Sequence, residues 1–141
     1  MILVVDASVA LKWFLEVRDD EPDQDRALAL LNSIDDGSVQ LVQPVHFIAE
    51  VAAVLARANP DGAEDDLLDL LNIEWGTIDT PETYATALEL SIRHGHHLFD
   101  ALYHAVALQV PDANLITADR RYYEKAGGEG RMVLLADWLP D

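Results

Sequence analysis

The stretch MILVVDASV, residues 1–9, decides the fold of this chain. Residues 1–5 are continuously apolar and include β-branched side chains, which is typical of a strand covered on both faces of a parallel sheet. Asp6 ends this run, and apolar residues near helical spacing follow over residues 8–15. This succession of a buried strand, a polar residue and a helix predicts an α/β protein with Asp6 at the carboxyl end of its first strand.

The same alternation continues along the rest of the chain. Further strands are predicted over residues 40–43, 75–78, 114–117 and 132–135. Helices are predicted over residues 22–34, 46–58, 61–72, 80–95, 100 to near 111, and 119–125, with a loop over 94–99. In the helix that follows Thr80, one face is expected to carry Tyr84, Ala87, Leu88 and Ser91. Strands that alternate with helices predict a parallel sheet wrapped by helices.

Composition limits the class of protein. A chain of 141 residues that is half hydrophobic can bury one sizeable core, so a single domain over residues 1–141 is expected. The absence of cysteine excludes disulfides and cysteine-ligated metal sites. The apolar opening lacks a basic region and contains Asp6 and Lys12, so it does not resemble a signal peptide. With no run of membrane-spanning length, we expect a cytoplasmic protein.

The charge is strongly acidic, with 26 acidic and 9 basic residues and a formal net charge of −17. Proteins that bind nucleic acid through their own surface place Lys and Arg at the phosphates. The charge therefore argues against such binding, unless cations, a partner or a small local patch hold the phosphate. The acid is dense over residues 19–25 and 61–69, which are interpreted either as solvated helix starts and loops or as a surface for a basic protein partner.

Two aspartates follow predicted strands. Asp6 comes directly after the first strand, and Asp119 follows the strand over 114–117 by one residue. The carboxyl ends of parallel strands share one edge of the sheet, which is where such proteins bind ligands. Capping of the helix that follows is the alternative for each aspartate, and it applies equally to Asp100.

Glu50 lies in a largely apolar helical pattern. Its neighbours at helical spacing include Phe47, Ala53 and Val54. A carboxylate in such surroundings needs a cation, hydrogen bonds or a proton. A salt bridge with Arg57 or Arg93 and a metal site remain the two interpretations.

Taken together, these acids suit a hard cation, because Mg²⁺ and Mn²⁺ prefer carboxylate and water oxygens. Such an ion can activate a water molecule and stabilise charge on a phosphodiester. It would also bridge an acidic pocket to an anionic backbone. The residues therefore predict phosphodiester hydrolysis by a metal-activated water, without a covalent intermediate.

Four motifs occur in the order found in PIN domains, namely VVDASV at residues 4–9, AEV at 49–51, FDALYHAVA at 99–107 and LITAD at 115–119. The sequence resembles that family nearly end to end and is most similar to the VapC toxins of type II toxin–antitoxin modules. The resemblance implies a PIN-like three-layer α/β/α sandwich with a central parallel sheet. It also implies Mg²⁺- or Mn²⁺-dependent RNA cleavage, a homodimer, and neutralisation by a cognate antitoxin, for which the acidic surface suggests a basic tail.

The resemblance also implies roles for single residues. It places the metal-binding and catalytic acids at Asp6, Glu50, Asp100 and Asp119. Ser8 and Thr117 match small hydroxyl positions that could bond a carboxylate, a metal-bound water or a phosphate, or could be local caps. Arg120 and Arg121 follow the fourth acid and would hold RNA phosphate or form surface ion pairs.

Histidines and aromatic residues near these motifs are open to two interpretations. A cluster near Asp100 comprises His94, His96, His97 and His104. These are ordinary loop and helix residues, or they assist Asp100, contact RNA or transfer protons, and we do not expect zinc ligands among them. Trp13 and Phe14 belong to the core or to a surface for a second copy or an antitoxin.

Other phosphotransfer folds fit less well. A haloacid-dehalogenase-type phosphatase needs a second aspartate two residues after the first, where this chain has Ser8. Neither the acidic pair and late lysine of a receiver domain nor a glycine-rich nucleotide loop is evident. The remaining alternative is a non-catalytic PIN-like module that binds RNA or protein.

Overall fold

The computed structural model describes residues 1–15 and 20–141. Its strands are β1 Ile2–Val5, β2 Gln40–Gln43, β3 Gly76–Thr77, β4 Ala113–Thr117 and β5 Met132–Leu134. All neighbouring strands pair in parallel, in the order β3-β2-β1-β4-β5. The predicted central parallel sheet is confirmed, and β1 lies at its centre.

Seven α-helices surround the sheet in the described ranges. They are α1 Ala7–Ala10, α2 Gln24–Asp35, α3 Phe47–Ala58, α4 Ala63–Leu71, α5 Pro81–His94, α6 Leu98–Gln109 and α7 Arg120–Ala126. Short 3-10 turns cover Leu11–Trp13, Gly127–Glu129 and Leu135–Asp137. None of the helices in these parts of the chain has the length and apolar character needed to cross a bilayer.

Burial of β1 shows that the sheet is covered on both sides. Leu3, Val4 and Val5 are all buried, and successive side chains of a strand point to opposite faces. The continuous apolar run at the start of the sequence therefore reflects helices on both faces of the sheet. The three-layer α/β/α sandwich is confirmed.

A glutamine side chain extends the pairing of β1 beyond its backbone ladder with β2. The Gln43 amide donates to the Val5 carbonyl at 2.7 Å, and the Val5 amide donates to the Gln43 side-chain oxygen at 2.9 Å. Gln43 is fully buried. This one side chain thus satisfies both backbone groups of the residue before Asp6.

Helix α6 is the most enclosed helix in the described chain. Its residues from Ala101 to Ala107 are all buried, and it packs against β1 and β4 on one side and against α5 on the other. A helix that is apolar all round belongs in the interior. The sheet and α5 therefore fix α6, and α6 in turn fixes Asp100 in its first turn.

The structure differs from the predictions at two helix boundaries and in the buried face of one helix. Helix α6 begins at Leu98, so the predicted loop is shorter and Asp100 does not cap the helix. The helix predicted over 8–15 divides into α1 and a 3-10 turn that ends at Trp13. The buried face of α5 carries Thr83, Ala87 and Leu90, whereas Tyr84 and Leu88 are exposed.

Two further expectations concern the start of the chain. Trp13 is a core residue, whose indole donates to the Ala27 carbonyl at 2.8 Å. Phe14 is only partly buried and lines a cavity of about 370 Å³ beside α3. The acidic run over residues 19–25 begins at Asp19, which lies outside the described residues.

Candidate metal centre

The first and fourth predicted acids lie at the ends of adjacent strands. Strand β1 pairs with β4 so that Val5 is opposite Ile116, and the Asp6 amide donates to the Ile116 carbonyl at 3.4 Å. Asp119 follows β4 and begins α7. The sheet register therefore brings both aspartates to one edge, as their positions in the sequence predict.

Asp6 is held by two hydroxyl groups. Ser8 donates to one carboxylate oxygen and Thr117 donates to the other. Each hydroxyl also accepts a backbone N–H from the loop after β4, from Ala118 to Ser8 at 3.1 Å and from Asp119 to Thr117 at 3.0 Å. The two hydroxyls thus join the loops after β1 and β4 and fix the orientation of Asp6.

Capping and site formation coexist at these aspartates. The Val9 amide donates to Asp6 at 3.4 Å, and the Tyr122 amide donates to Oδ1 of Asp119 at 3.1 Å. Both residues are therefore N-caps, as the alternative interpretation expected. The Asp119 cap uses only Oδ1, so capping does not occupy its second oxygen.

The environment of Asp6 disfavours its negative charge. Desolvation raises the pKa of Asp6 from 3.8 to about 6. The hydrogen bonds from Ser8, Thr117 and Val9 oppose this rise, and the nearby Asp100 carboxylate adds to it. A carboxylate that is hard to ionise without a cation is what a metal site of clustered acids produces. A bound cation would favour the charged form and lower this pKa.

This pKa predicts a pH dependence of stability for the metal-free protein. Because the folded chain holds the Asp6 proton more tightly than the unfolded chain, stability is present below pH 3.8 and is lost as pH rises to about 6. The difference corresponds to roughly 2 to 3 kcal/mol. Urea unfolding in EDTA at pH 4 to 7.5 should show wild type losing this much relative to Asp6→Asn. A constant difference between the two chains across this range would contradict the assignment.

Asp100 and Asp119 meet near a histidine that the sequence left unassigned. One ligand atom from each of His96, Asp100 and Asp119 lies within 4.8 Å of the other two. Nε2 of His96 is 2.8 Å from Oδ2 of Asp100, and Lys125 Nζ lies 3.3 Å from Nδ1 of the same ring. An ammonium group can only donate, so Nδ1 accepts and Nε2 carries the hydrogen that bonds Asp100. In this arrangement His96 orients Asp100 and does not offer Nε2 to a metal.

Glu50 is joined to the site through a tyrosine. The Tyr103 hydroxyl donates to Oε1 of Glu50 at 2.7 Å, and Nε2 of His46 is 3.0 Å from the same oxygen. Burial acts to raise the pKa of Glu50, but these two hydrogen bonds, together with the charges of His46 and His97, hold the pKa below its ordinary value. Neither Arg57 nor Arg93 pairs with Glu50 in the described chain, so the salt-bridge interpretation does not hold for these arginines, and the basic side chain beside Glu50 is His46.

Tyr103 lies among three of the four predicted acids. Burial, followed by the charges of Glu50, Asp6 and Asp100, raises the pKa of its hydroxyl. The hydroxyl therefore remains a donor at any ordinary pH. Neither Glu50 nor Asp6 is within the tight group formed by Asp100, Asp119 and His96. The Tyr103 hydroxyl bonds Glu50 and feels the charges of Asp6 and Asp100, so it lies between Glu50 and the other acids.

The other histidines and the arginines lie around this centre. His94 bonds Glu129 at 2.9 Å, and fully buried His104 bonds the Tyr122 hydroxyl and the Gly130 carbonyl. Arg120 and Arg121 are exposed and make no ion pair within the described residues. Their guanidinium groups are accordingly open to solvent beside the fourth acid.

The sequence left His96 open between an ordinary loop residue and a group that assists Asp100, and it indicated no role for Lys125, Tyr103 or Gln43. Tyr103 stands three residues after Asp100, a spacing that places two helical residues on one face. That spacing could have indicated that Tyr103 lies near Asp100. No such indication exists in the sequence for Lys125 or Gln43, because their contacts with His96 and Val5 join segments far apart in the chain.

The donor set fits a hard divalent cation. Asp100 and Asp119 lie close together, and Asp6 lies at the same edge of the sheet through its bond with Thr117. The pKa of Asp6 is raised mainly by desolvation and to a smaller extent by the charge of Asp100, and a cation would favour the charged form. No cysteine is present to favour a soft metal. The arrangement suits Mg²⁺ or Mn²⁺ better than zinc.

Comparisons with known proteins identify the family and the fold. A model of the PIN domain family matches residues 3–128. No significant match is found among curated protein sequences. Among solved structures, the chain is similar to a toxin–antitoxin complex from Klebsiella pneumoniae, with a TM-score of 0.67 and 16% identity over 94% of this chain and 97% of that chain.

Two further structures show the same fold. The VapC20 toxin of Mycobacterium tuberculosis, described as cleaving the sarcin–ricin loop, has a TM-score of 0.60 and 18% identity over 83% of this chain and 91% of that chain. VapBC2 from Rickettsia felis, bound to a promoter DNA fragment, has a TM-score of 0.64 and 14% identity over 95% and 97% of the respective chains. At these identities the likeness establishes the fold.

Proposed function

The chain belongs to the PIN-domain family, and from this premise we propose that it is a ribonuclease that requires Mg²⁺ or Mn²⁺. It would hydrolyse RNA phosphodiester bonds as the VapC-type toxin of a type II toxin–antitoxin module. The observation that carries the proposal is the convergence of Asp6, Asp100 and Asp119 at one sheet edge, with Glu50 joined through Tyr103. All of residues 1–141 would form a single PIN domain.

In such a site, the residues of this chain would have distinct roles. Asp6, Asp100 and Asp119 would hold the cation, and Glu50 would bind it or one of its waters. Ser8 and Thr117 hold Asp6 in one orientation, and His96 does the same for Asp100. Groups that orient ligands in this way typically contribute 10- to 100-fold to metal affinity or activity, by order of magnitude.

A divalent cation at this position supplies an activated water and stabilises charge on the attacking and leaving oxygens. Arg120 and Arg121 would contact the phosphates on either side of the bond that is cut. Their exposed guanidinium groups support this role, because Arg can bind phosphate in a bidentate manner. The hydroxyls of Ser8 and Thr117 are both engaged as donors to Asp6, so water would be the attacking group.

Two protein partners belong to this proposal. A homodimer is supported by the exposed apolar row Tyr84, Leu88 and Ile92, which recurs at every fourth position of α5. A basic antitoxin is supported by the net charge of −17 and by the acidic first turn of α4. Acting on cellular RNA, the protein would work in the cytoplasm.

A second candidate is a non-catalytic PIN-like module that binds RNA or protein. The acidic charge favours it, because a surface with only 9 basic residues is poorly suited to drawing RNA into an active site. Under this alternative the clustered acids would serve folding or partner binding.

Cleavage of RNA by the purified chain separates the two candidates. Without antitoxin, the chain should degrade single-stranded RNA when Mg²⁺ or Mn²⁺ is added and should stop when EDTA is added. Gel analysis of a 5′-labelled RNA provides the measurement. RNA that stays intact with either metal, while the chain is folded by circular dichroism, would favour the non-catalytic module.

A further inference from the structure

An exposed aromatic side chain lies directly beside the candidate metal centre. Phe99 is 58% exposed and immediately precedes Asp100 in α6. Its ring stacks on His46, with centroids 5.5 Å apart and an interplanar angle of 29°. Together with His46, Ala49, Glu50 and Ala53 it lines a cavity of about 200 Å³, which we call the aromatic pocket.

The aromatic pocket is continuous with the acids. Glu50 forms part of its wall and also accepts the hydroxyl of Tyr103 at 2.7 Å. The Tyr103 hydroxyl in turn lies close enough to Asp6 and Asp100 for their charges to raise its pKa. A group seated on the Phe99 ring would therefore lie beside Glu50, on the side of the pocket that borders the candidate metal centre.

Several contacts preform the aromatic pocket. Nε2 of His46 is 2.8 Å from the Phe99 carbonyl and 3.0 Å from Glu50. The His46 ring also packs against the Tyr103 ring, with centroids 4.6 Å apart. These contacts hold the His46 ring beneath Phe99, and the alanines at 49 and 53 leave the space beside it open.

Size and charge indicate what the aromatic pocket would bind. At about 200 Å³ it is smaller than the roughly 300 to 1,000 Å³ of sites for drug-sized ligands, so it suits a single planar ring. A chain with a net charge of −17 gains little affinity for RNA from phosphate contacts. Stacking of bases on aromatic side chains provides affinity that does not depend on charge.

We propose that the aromatic pocket binds one nucleobase of single-stranded RNA by stacking on Phe99. The neighbouring phosphate would be held by the cation that the acids bind. This inference rests on the proposed ribonuclease function and deepens it. Since every base has a stacking face, the subsite would position the RNA without strict preference for one base. It would compensate in part for the scarcity of basic residues.

Binding of RNA with and without bases tests the proposal. Fluorescence anisotropy with Mg²⁺ would compare a labelled 12-nucleotide oligouridylate with an abasic strand of equal length, using the Asp6→Asn chain so that the RNA stays intact. Adding Phe99→Ala should weaken oligouridylate binding by about 5- to 100-fold, the range expected for one stacked base. Abasic binding should not change, and Phe99→Trp should restore the difference between the strands.

Leu68→Ala provides a matched control, because Leu68 is 55% exposed on α4 and Phe99 is 58% exposed. It should leave both affinities unchanged. Equal oligouridylate binding by the Phe99→Ala and parent chains would overturn the proposal. Equal loss on both strands would also overturn it, because the effect would then not involve bases.

Two other outcomes are distinguishable. If Phe99→Ala changes the mass measured by light scattering and leaves RNA affinity unchanged, the aromatic pocket is a protein interface and the proposal is overturned. If wild type cleaves RNA with Mg²⁺ but Phe99→Ala has no effect on KM, only this inference fails. If wild type neither binds nor cleaves RNA, the proposed function fails with it.

Discussion

Replacing Asp6 with asparagine should lower the rate of metal-dependent RNA cleavage at least about a thousandfold, which corresponds to about 4 kcal/mol of transition-state stabilisation. Asp6 lies centrally at the end of β1, between Ser8 and Thr117, and neighbours Asp100. Asparagine keeps the size and most of the hydrogen bonds but removes the charge that would hold a cation. The chain should therefore fold and lose activity.

Single-turnover cleavage of a labelled RNA at saturating Mg²⁺ would measure this loss. Asp100→Asn should act in the same direction. Asp65→Asn, an equal charge change at an exposed position in α4, should leave the rate within about twofold because α4 contributes none of the four acids. If Asp6→Asn and Asp65→Asn have the same rate as wild type, the acids at the sheet edge do not form the catalytic site.

Replacing buried Gln43 with leucine should lower the free energy of unfolding more than the same substitution at an exposed glutamine. The substitution leaves the N–H and C=O of Val5 without partners in the interior. Each unsatisfied buried group costs about 1 to 3 kcal/mol, so a total loss of about 2 to 6 kcal/mol is expected for the two groups. Cleavage should also fall, because Val5 positions Asp6.

Gln40→Leu is the matched control for this prediction. Gln40 begins the same strand but is exposed, and surface changes of this kind usually alter stability by less than about 0.5 kcal/mol. Urea unfolding of both variants at pH 7 with Mg²⁺ would give the two free energies. Equal values would mean that the backbone of Val5 does not depend on the Gln43 side chain.

The sequence was most informative where local pattern and topology coincide. The apolar run of β1 predicts burial on both faces, and this places Asp6 at a strand end without any knowledge of its neighbours. Asp119 could be located in the same way from the strand over 114–117. The rule that ligands bind at the carboxyl edge of parallel strands then brings the two together.

Other parts of the site depend on contacts that sequence spacing does not encode. Capping was an alternative for Asp100 because α6 begins without a capping signal, and His97 precedes the helix without a side-chain cap. The roles of His96 and Lys125 depend on how α6 and α7 pack. Glu50 was correctly seen as a carboxylate in need of partners, but those partners are His46 and Tyr103, and the predicted arginines are not involved.

The exposed face of α5 illustrates a related limit. Tyr84 and Leu88 fit a helical stripe in the sequence and suggest burial, yet α5 packs on α6 through Thr83, Ala87 and Leu90. Periodicity alone cannot tell a core-facing stripe from one reserved for another protein. In this chain the smaller side chains face α6, which allows the two helices to approach closely.

The bond between Asp6 and Thr117 spans 111 positions of the chain, and β1 pairs with β2 on one side and β4 on the other. During synthesis, the ribosome therefore releases the first strand and most helices long before β4 can complete the sheet. Until then one edge of β1 stays unpaired and Asp6 has no hydroxyl from Thr117. Truncated products that end before residue 113 would be inert and prone to aggregate through that open edge. The site is therefore finished only after β4 has been synthesised and has paired with β1.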